Sequence, residues 1–171
     1  MKIIQKLLYI YLFFNLSTSS YAQSFNVDIQ YSYQNLNSVA LGVNYYNSKY
    51  LKEKKQLIEF GTILSLELLK IKNKFIYSPK IALDFGHYIN KNRLAYTFGV
   101  GLIRRNNESI TDWSFVPEIG ITFIGLIKLS YGYNIHFSND KINEISNNKI
   151  SITINIGYRF LDNHFRIGSE K

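Results

Sequence analysis

The sequence predicts an all-β fold, a closed eight-stranded antiparallel transmembrane β-barrel preceded by a cleaved signal peptide. Three observations support this prediction. Apolar residues alternate with small or polar ones in eight segments, the apolar set is too bulky for the inside of a small barrel, and the chain begins like a secretory signal. With 46% hydrophobic and 19% charged residues among 171, the composition fits one folded domain and excludes a disordered chain. The absence of cysteine excludes disulfides and cysteine-based metal sites.

The first 22 residues have the three parts of a signal peptide. Lys2 and Lys6 supply the positive charge, residues 7–16 are apolar, and residues 17–22 are mostly small. We expect cleavage before Gln23, because a ten-residue apolar run is about half as long as a membrane-spanning helix requires. Cleavage lowers the formal charge from +8 to +6. The remaining cations are spread along the chain, so no nucleic-acid partner is expected.

The predicted strands follow one another at regular spacing. In chain order, the alternating segments cover residues 25–33, 39–45, 58–68, 75–85, 94–102, 113–123, 127–137 and 150–160. The fourth and sixth segments carry related motifs, in which Pro79 and Pro117 stand 38 positions apart. Because proline has no backbone N–H to donate to a neighbouring strand, we expect a bulge or a local break at each proline.

The two faces of these strands differ sharply. One face carries the large apolar residues, and the other carries polar residues and eight of the ten glycines. An eight-stranded barrel is only just wide enough inside for side chains, so more than about forty bulky groups cannot fit there, whereas glycines and paired charges can. We therefore expect the apolar face to point outward into lipid. The alternative is a soluble, lipocalin-like barrel with the large residues inside.

Aromatic residues lie toward the strand ends, where a membrane barrel has its interfacial girdles. They are Tyr31, Tyr33, Phe75, Tyr77, Trp113, Phe115, Tyr158 and Phe160. The predicted domains are the signal peptide at 1–22, the barrel at 23–160 and a short tail at 161–171.

The connections are expected to alternate between the periplasm and the outer surface. Residues 89–92 and 124–126 are short and are assigned to the periplasm, whereas the longer polar segments 104–111 and 138–149 are assigned to the outside. Residues 47–55 are long and basic and fall on the periplasmic side. That segment is interpreted as a solvated turn, with contact to anionic lipid or an envelope polymer as the alternative.

Charged residues on the small-residue face predict a compensated network of ion pairs inside the barrel. Its expected members are Asp28, Glu59, Glu67, Lys80, Asp84, Glu118, Lys128 and Arg159. Lys80 and Glu118 are expected to form an ion pair, because Gly99 or Gly101 on the strand between them leaves room. A conducting pore is not expected, since porins use about twice as many strands.

The chain resembles the small eight-stranded outer-membrane barrels of Gram-negative bacteria, particularly those of Bacteroidota. The resemblance covers Gln23 to Phe160 and rests on the signal ending at Ala22, the Pro117–Ile121 stretch and the final strand ending in Gly157–Phe160. It implies an outer-membrane location and contact with membrane lipid and lipopolysaccharide. A terminal strand with an aromatic end resembles the signal that the barrel-assembly machinery reads, although residues 161–171 follow it here.

One short motif suggests chemistry. In His136-Phe137-Ser138-Asn139, a histidine and a serine stand two positions apart on one side of a strand end, the spacing a base needs to reach a hydroxyl. The motif resembles the His-x-Ser-Asn motif of the outer-membrane lipid A deacylases. That resemblance implies His136 as the base, Ser138 as the nucleophile and an acid such as Glu144 as the orienting group, although the strand alternation turns His136 inward.

The predicted function is therefore non-enzymatic, an envelope-structural or surface-interaction role through segments 104–111 and 138–149. The alternative is a lipid A ester hydrolase. No cofactor is expected. No metal site is expected either, because His87, His136 and His164 are too scattered. The sequence does not identify an external partner.

Overall fold

The computed structural model describes residues 22–51, 56–72, 74–89, 94–107, 110–138 and 141–157. These residues form an all-β fold without helices. The strands are β1 (Ala22–Tyr33), β2 (Asn37–Leu51), β3 (Gln56–Ile71), β4 (Lys74–Ile89), β5 (Leu94–Asn107), β6 (Ile110–Phe123), β7 (Ile127–Tyr133), β8 (Ile135–His136) and β9 (Asn148–Gly157). Among these residues, no helix has the length and apolar character needed to cross a bilayer. The predicted signal peptide up to residue 21, Arg159 and the tail lie outside the described residues.

The strands close into an antiparallel barrel. From β1 to β7 each strand pairs with the next one along the chain, β7 also pairs with β9, and β9 pairs with β1 to complete the ring. The short β8 continues β7, because both pair with β6 in one register and only Asn134 separates them. The described residues thus form a closed eight-stranded antiparallel barrel, which confirms the predicted all-β barrel fold.

The pairing register sets the size of the barrel. Stepping from each residue to its partner on the next strand, a path that starts at Ala22 goes once around the barrel and returns to β1 at Ser32. The strands are therefore staggered by ten residues over one full turn of the barrel. Eight strands with this stagger tilt by about 40° and have a backbone radius of about 8 Å. The interior therefore holds side chains rather than a wide channel.

Side chains alternate between an apolar outside and a polar inside, as the sequence analysis expected. The outward residues are exposed aliphatic and aromatic side chains, here called the outer band, and every strand contributes to it. The inward residues are mainly glycine, serine, threonine and charged side chains. Six of the inward glycines are buried, namely Gly42, Gly61, Gly86, Gly99, Gly101 and Gly132.

The two ends of the barrel differ in their connections. We call one end the loop end, because it carries the connections 34–36, 72–73, 108–109 and 137–147. The opposite, terminal end carries the start of β1 and the end of β9. Two predicted segments are corrected here. Residues 104–107 and 110–111 belong to β5 and β6 rather than to a loop, and residues 47–51 belong to β2 rather than to a turn.

The prolines interrupt pairing on one side only, and neither causes a bulge. Pro117 pairs with Val100 of β5, but the pairing of β6 with its other neighbour stops at Glu118 and resumes at Phe115. Pro79 pairs with Leu66 of β3, whereas the pairing between β4 and β5 ends at Lys80. The expected break is thus present at Pro117. At Pro79 the pairing between β4 and β5 ends one residue before the proline is reached.

The connection between β8 and β9 folds over the loop end. Ile142 and Ile145 are buried there against the inward side chains Leu69, Ile71 and Ile76. We call this cluster the apolar cap. Backbone hydrogen bonds hold it in place, from the Ser146 amide to the Gln34 carbonyl (3.0 Å) and from the Asn134 amide to the Asn147 carbonyl (2.6 Å).

Candidate functional site

Ion pairs fill the middle of the barrel. Lys80 Nζ of β4 lies 2.5 Å from Glu118 Oε1 of β6, the pair expected from the sequence, and Lys128 Nζ of β7 lies 2.7 Å from Asp84 Oδ1 of β4. All four side chains are buried. Buried charges need such partners, because the cost of removing an unpaired ion from water is several kcal/mol.

Glycines on the neighbouring strands provide the space for these side chains. A Cβ atom added at Gly101 would stand 2.8 Å from Lys80 Cε, and one added at Gly132 would stand 2.9 Å from Glu118 Cγ. Both distances are shorter than a van der Waals contact. The glycines of the inner face therefore leave the space that the buried ion-paired side chains occupy.

The other expected members of the network are spread along the barrel. Asp28 is buried and lines a small cavity together with Lys80 and Asp84. Glu59 is buried nearer the terminal end and accepts a hydrogen bond from the Ser48 hydroxyl (3.1 Å). Arg159 lies outside the described residues.

A further charged cluster lies toward the loop end. Glu67 Oε1 accepts hydrogen bonds from Lys149 Nζ (3.0 Å) and the Ser38 hydroxyl (2.7 Å), and Arg105 Nη2 lies 3.9 Å from Glu67 Oε2. Arg105 and Lys149 are not among the predicted members of the network, because both stand in segments that the sequence predicts to be loops. The strand alternation does indicate that Arg105 faces inward, because it stands two residues after Ile103, which is buried in the interior.

Small cavities lie in the part of the interior that the structure describes. Two cavities of about 20 and 30 Å³ lie among the described lumen residues, one lined partly by Lys80 and Glu118 and the other partly by Glu59 and Tyr88. Each has room for one or two water molecules. The described interior is therefore a packed polar core with hydration sites.

His136 lies in a buried polar cluster near the loop end. Its Nδ1 lies 2.9 Å from both carboxylate oxygens of Asp112 and 3.0 Å from the Ser114 hydroxyl. Asp112 and Ser114 alternate inward on β6, and the register places Ser114 directly opposite His136. Arg105 Nη1 donates to the Ser114 hydroxyl (2.9 Å), which joins this cluster to Glu67.

Ser138 contacts the same carboxylate. Its hydroxyl donates to Asp112 Oδ1 (3.2 Å) and accepts from the Trp113 amide (3.1 Å). We call Asp112, Ser114, His136 and Ser138 the His136 cluster. Glu144, the acid named from the motif, is exposed in the 137–147 connection, so the carboxylate that meets His136 is Asp112.

The cluster has part of the geometry of a catalytic triad. Asp112 orients His136 through Nδ1, as a triad carboxylate does, and Nε2 is the nitrogen that would accept a proton from a hydroxyl. Nε2 is buried and has no hydrogen-bond partner, while Ser138 is bound to Asp112. The described arrangement is therefore an oriented histidine enclosed by protein.

The described residues contain no group of three or more His, Asp or Glu side chains placed to hold a metal ion. No family model matches this chain, and no curated protein matches it either.

Proposed function

We propose that the protein is an integral outer-membrane β-barrel with a non-enzymatic role in the envelope, either structural or in surface interaction. The outer band is the observation that carries this proposal. On β9 alone, Ile150, Ile152, Ile154 and Ile156 point outward and are exposed. Soluble monomers rarely expose apolar patches of more than a few hundred Å², and this band encircles the whole barrel.

The dimensions of the outer band suit a bilayer. Phe123 and Trp113, near the two ends of β6, are ten residues apart, which is about 25 Å along the axis for strands tilted by about 40°. Outer-membrane barrels carry an apolar band of about this height.

Outward-facing aromatic residues flank the aliphatic part of the band at both ends. Near the terminal end they are Phe25, Tyr45, Phe60, Phe85, Tyr96 and Phe123, and near the loop end Tyr33, Phe75, Tyr77, Trp113, Phe115, Tyr133 and Phe137. Two such girdles are typical of membrane barrels. A closed barrel is also the one strand-built structure that leaves no edge unpaired in hydrocarbon.

The packed interior supports a role that does not involve transport. Cavities of about 20 and 30 Å³ are too small to admit a solute. We therefore assign the function to the outer surface and the loop end of the barrel. The partners we propose are outer-membrane lipid and lipopolysaccharide around the band and the barrel-assembly machinery during insertion. Surface interaction would use the hairpin tips and the 137–147 connection at the loop end.

Fractionation of a Gram-negative host that expresses the full chain tests the proposal. We expect the protein in the outer-membrane fraction, released by detergent, and migrating differently on gels before and after boiling because the closed barrel resists unfolding. Release into a detergent-free periplasmic extract would overturn the proposal.

A lipid A ester hydrolase is the alternative that the His136 cluster favours. In it, Asp112 would orient His136, Nε2 would take the Ser138 proton, and Ser138 would attack the ester carbonyl. The sugar alcohol would leave with that proton, and water would then release the fatty acid. Ser138 must first turn away from Asp112 for this to occur.

Mass spectrometry of lipid A separates the two functions. In a host that lacks such an enzyme, hydrolase activity predicts the loss of one acyl chain on expression of the wild type but not of Ser138→Ala or His136→Ala. An unchanged acyl pattern with correctly inserted wild-type protein excludes the hydrolase.

A further inference from the structure

One buried carboxylate in the middle of the barrel takes no part in an ion pair. Asp28 of β1 is 6% exposed, and none of the ion pairs among the described residues includes it. Lys80 and Lys128 attract it electrostatically. Each of these ammonium groups is bound to another carboxylate, Lys80 to Glu118 and Lys128 to Asp84.

The cavity of about 20 Å³ beside this carboxylate, here called the Asp28 cavity, has a negatively charged lining. The lining contains the three carboxylates Asp28, Asp84 and Glu118 and the two ammonium groups of Lys80 and Lys128. Its formal charges therefore sum to −1. Buried charge needs compensation, which a monovalent cation supplies and a water molecule does not.

Two oxygen atoms in the same lining lack a hydrogen-bond partner. They are Asp28 Oδ1 and Asn44 Oδ1, and both residues are buried. Among the side chains that line the Asp28 cavity, no buried nitrogen is left without a partner. The free positions are therefore all acceptors, which suits a cation and not an anion.

The strand register brings these two side chains together. Asp28 pairs with Gly42 of β2, and Asn44 stands two residues further along the same inner face. A Cβ atom at Gly42 would lie 2.2 Å from Asp28 Oδ1, so glycine leaves the room that the carboxylate occupies against β2. The Asn44 side chain lies close enough to interact with the Asp28 carboxylate.

The orientation of the Asn44 amide leaves its oxygen available. Asn44 Nδ2 donates to Asn155 Oδ1 of β9 (3.1 Å), so Oδ1 is the atom that remains for a ligand. Carboxylate and amide oxygens are the ligands that hard cations prefer. A cavity of about 20 Å³ has room for one water molecule, and a bare sodium or potassium ion is of similar size.

We propose that the interior of the barrel binds one monovalent cation, sodium or potassium, at Asp28 Oδ1 and Asn44 Oδ1. The cation compensates the one carboxylate of the cavity that the two lysines leave over. The site lies in the interior, so the inference goes beyond the proposed envelope role and does not depend on the membrane location.

Stability against urea measures the binding of the cation. The full mature chain is folded in micelles of a neutral detergent and titrated with urea in sodium chloride or in choline chloride at equal concentration, since choline is too large for the cavity. We expect a higher folded-to-unfolded ratio in sodium. Above the dissociation constant, the ratio should rise about tenfold for each tenfold increase in sodium concentration, because only the folded barrel has the site.

The test variant is Asp28→Asn, which keeps the shape of the side chain, removes its charge and should lose the response to sodium. The matched control, Glu59→Gln, removes a buried carboxylate that does not line the Asp28 cavity and should keep the wild-type response. Gly42→Ala is a second variant. Its added Cβ displaces Asp28 Oδ1 and should weaken the response.

Three outcomes would overturn the proposal. Equal ratios for the wild type in sodium and choline would show that no small cation binds. An unchanged sodium response in Asp28→Asn would place the cation elsewhere. A larger increase in calcium chloride than in sodium chloride at equal ionic strength would show that the site is not monovalent. None of these outcomes bears on the membrane location, which the fractionation tests separately.

Discussion

Two isoleucines on one strand provide a sharp test of whether the outer band faces lipid. Ile152 and Ile156 both point outward from β9, and each is 47% exposed. Ile152 pairs with Tyr31 and Leu129 in the middle of the band, whereas Ile156 pairs with Val27 near the terminal end. In a bilayer, lysine costs about 2–4 kcal/mol at the midplane and about 0–1 kcal/mol near the interface. In water, an exposed substitution usually changes stability by less than about 0.5 kcal/mol.

We therefore expect Ile152→Lys to lower the free energy of unfolding by about 2–4 kcal/mol and Ile156→Lys by about 1 kcal/mol or less. Urea titration of the barrel in lipid vesicles measures both values, with the folded and unfolded forms separated on unboiled gels. Equal effects of the two substitutions would refute the depth argument, because their exposures match and their positions differ. A soluble barrel would give two small effects.

Three further predictions concern the interior and use the same titration. Lys80→Met leaves Glu118 buried without its partner and should cost about 3–5 kcal/mol, whereas Lys80→Met/Glu118→Gln should recover part of that loss. Gly120→Ala should cost about 1–3 kcal/mol, since its Cβ would stand 2.5 Å from a backbone carbonyl oxygen, while Gly86→Ala, with 3.5 Å to the nearest atom, should be tolerated. Ile142→Ala should cost about 2–5 kcal/mol and increase hydrogen exchange over residues 141–147.

Each of these three has a contradicting outcome. A double variant no more stable than Lys80→Met would show that Glu118 does not depend on Lys80 as its partner. Equal effects of the two glycine substitutions would show that the space beside Gly120 is not tightly packed. The cap is not a packed core if Ile142→Ala leaves both stability and exchange unchanged.

Period-two alternation predicted the strands and their orientation, because a strand residue's position fixes the face on which it lies. It did not predict where the strands end. Arg104 and Asn106 look like loop residues because the strands continue past the outer band into a polar region. Hydropathy marks the height of the apolar band, and the hydrogen-bonded strand is longer than that band.

The His136 cluster illustrates what alternation leaves open. The inward direction of His136 follows from its position after Asn134, and that expectation agrees with the structure. Its acidic neighbour Asp112 comes from β6, 24 residues away, and only the register between two strands brings them together. The register depends on pairing between distant strands, which the local motif does not contain. The motif therefore pointed to Glu144, an acid nearby in the sequence.

The apolar cap implies an order of assembly. Its two isoleucines rest on Leu69, Ile71 and Ile76, which the pairing of β3 with β4 brings together. The apolar cap therefore ties the connection before β9 to the β3–β4 hairpin, and its buried contacts can form only once that hairpin is in place.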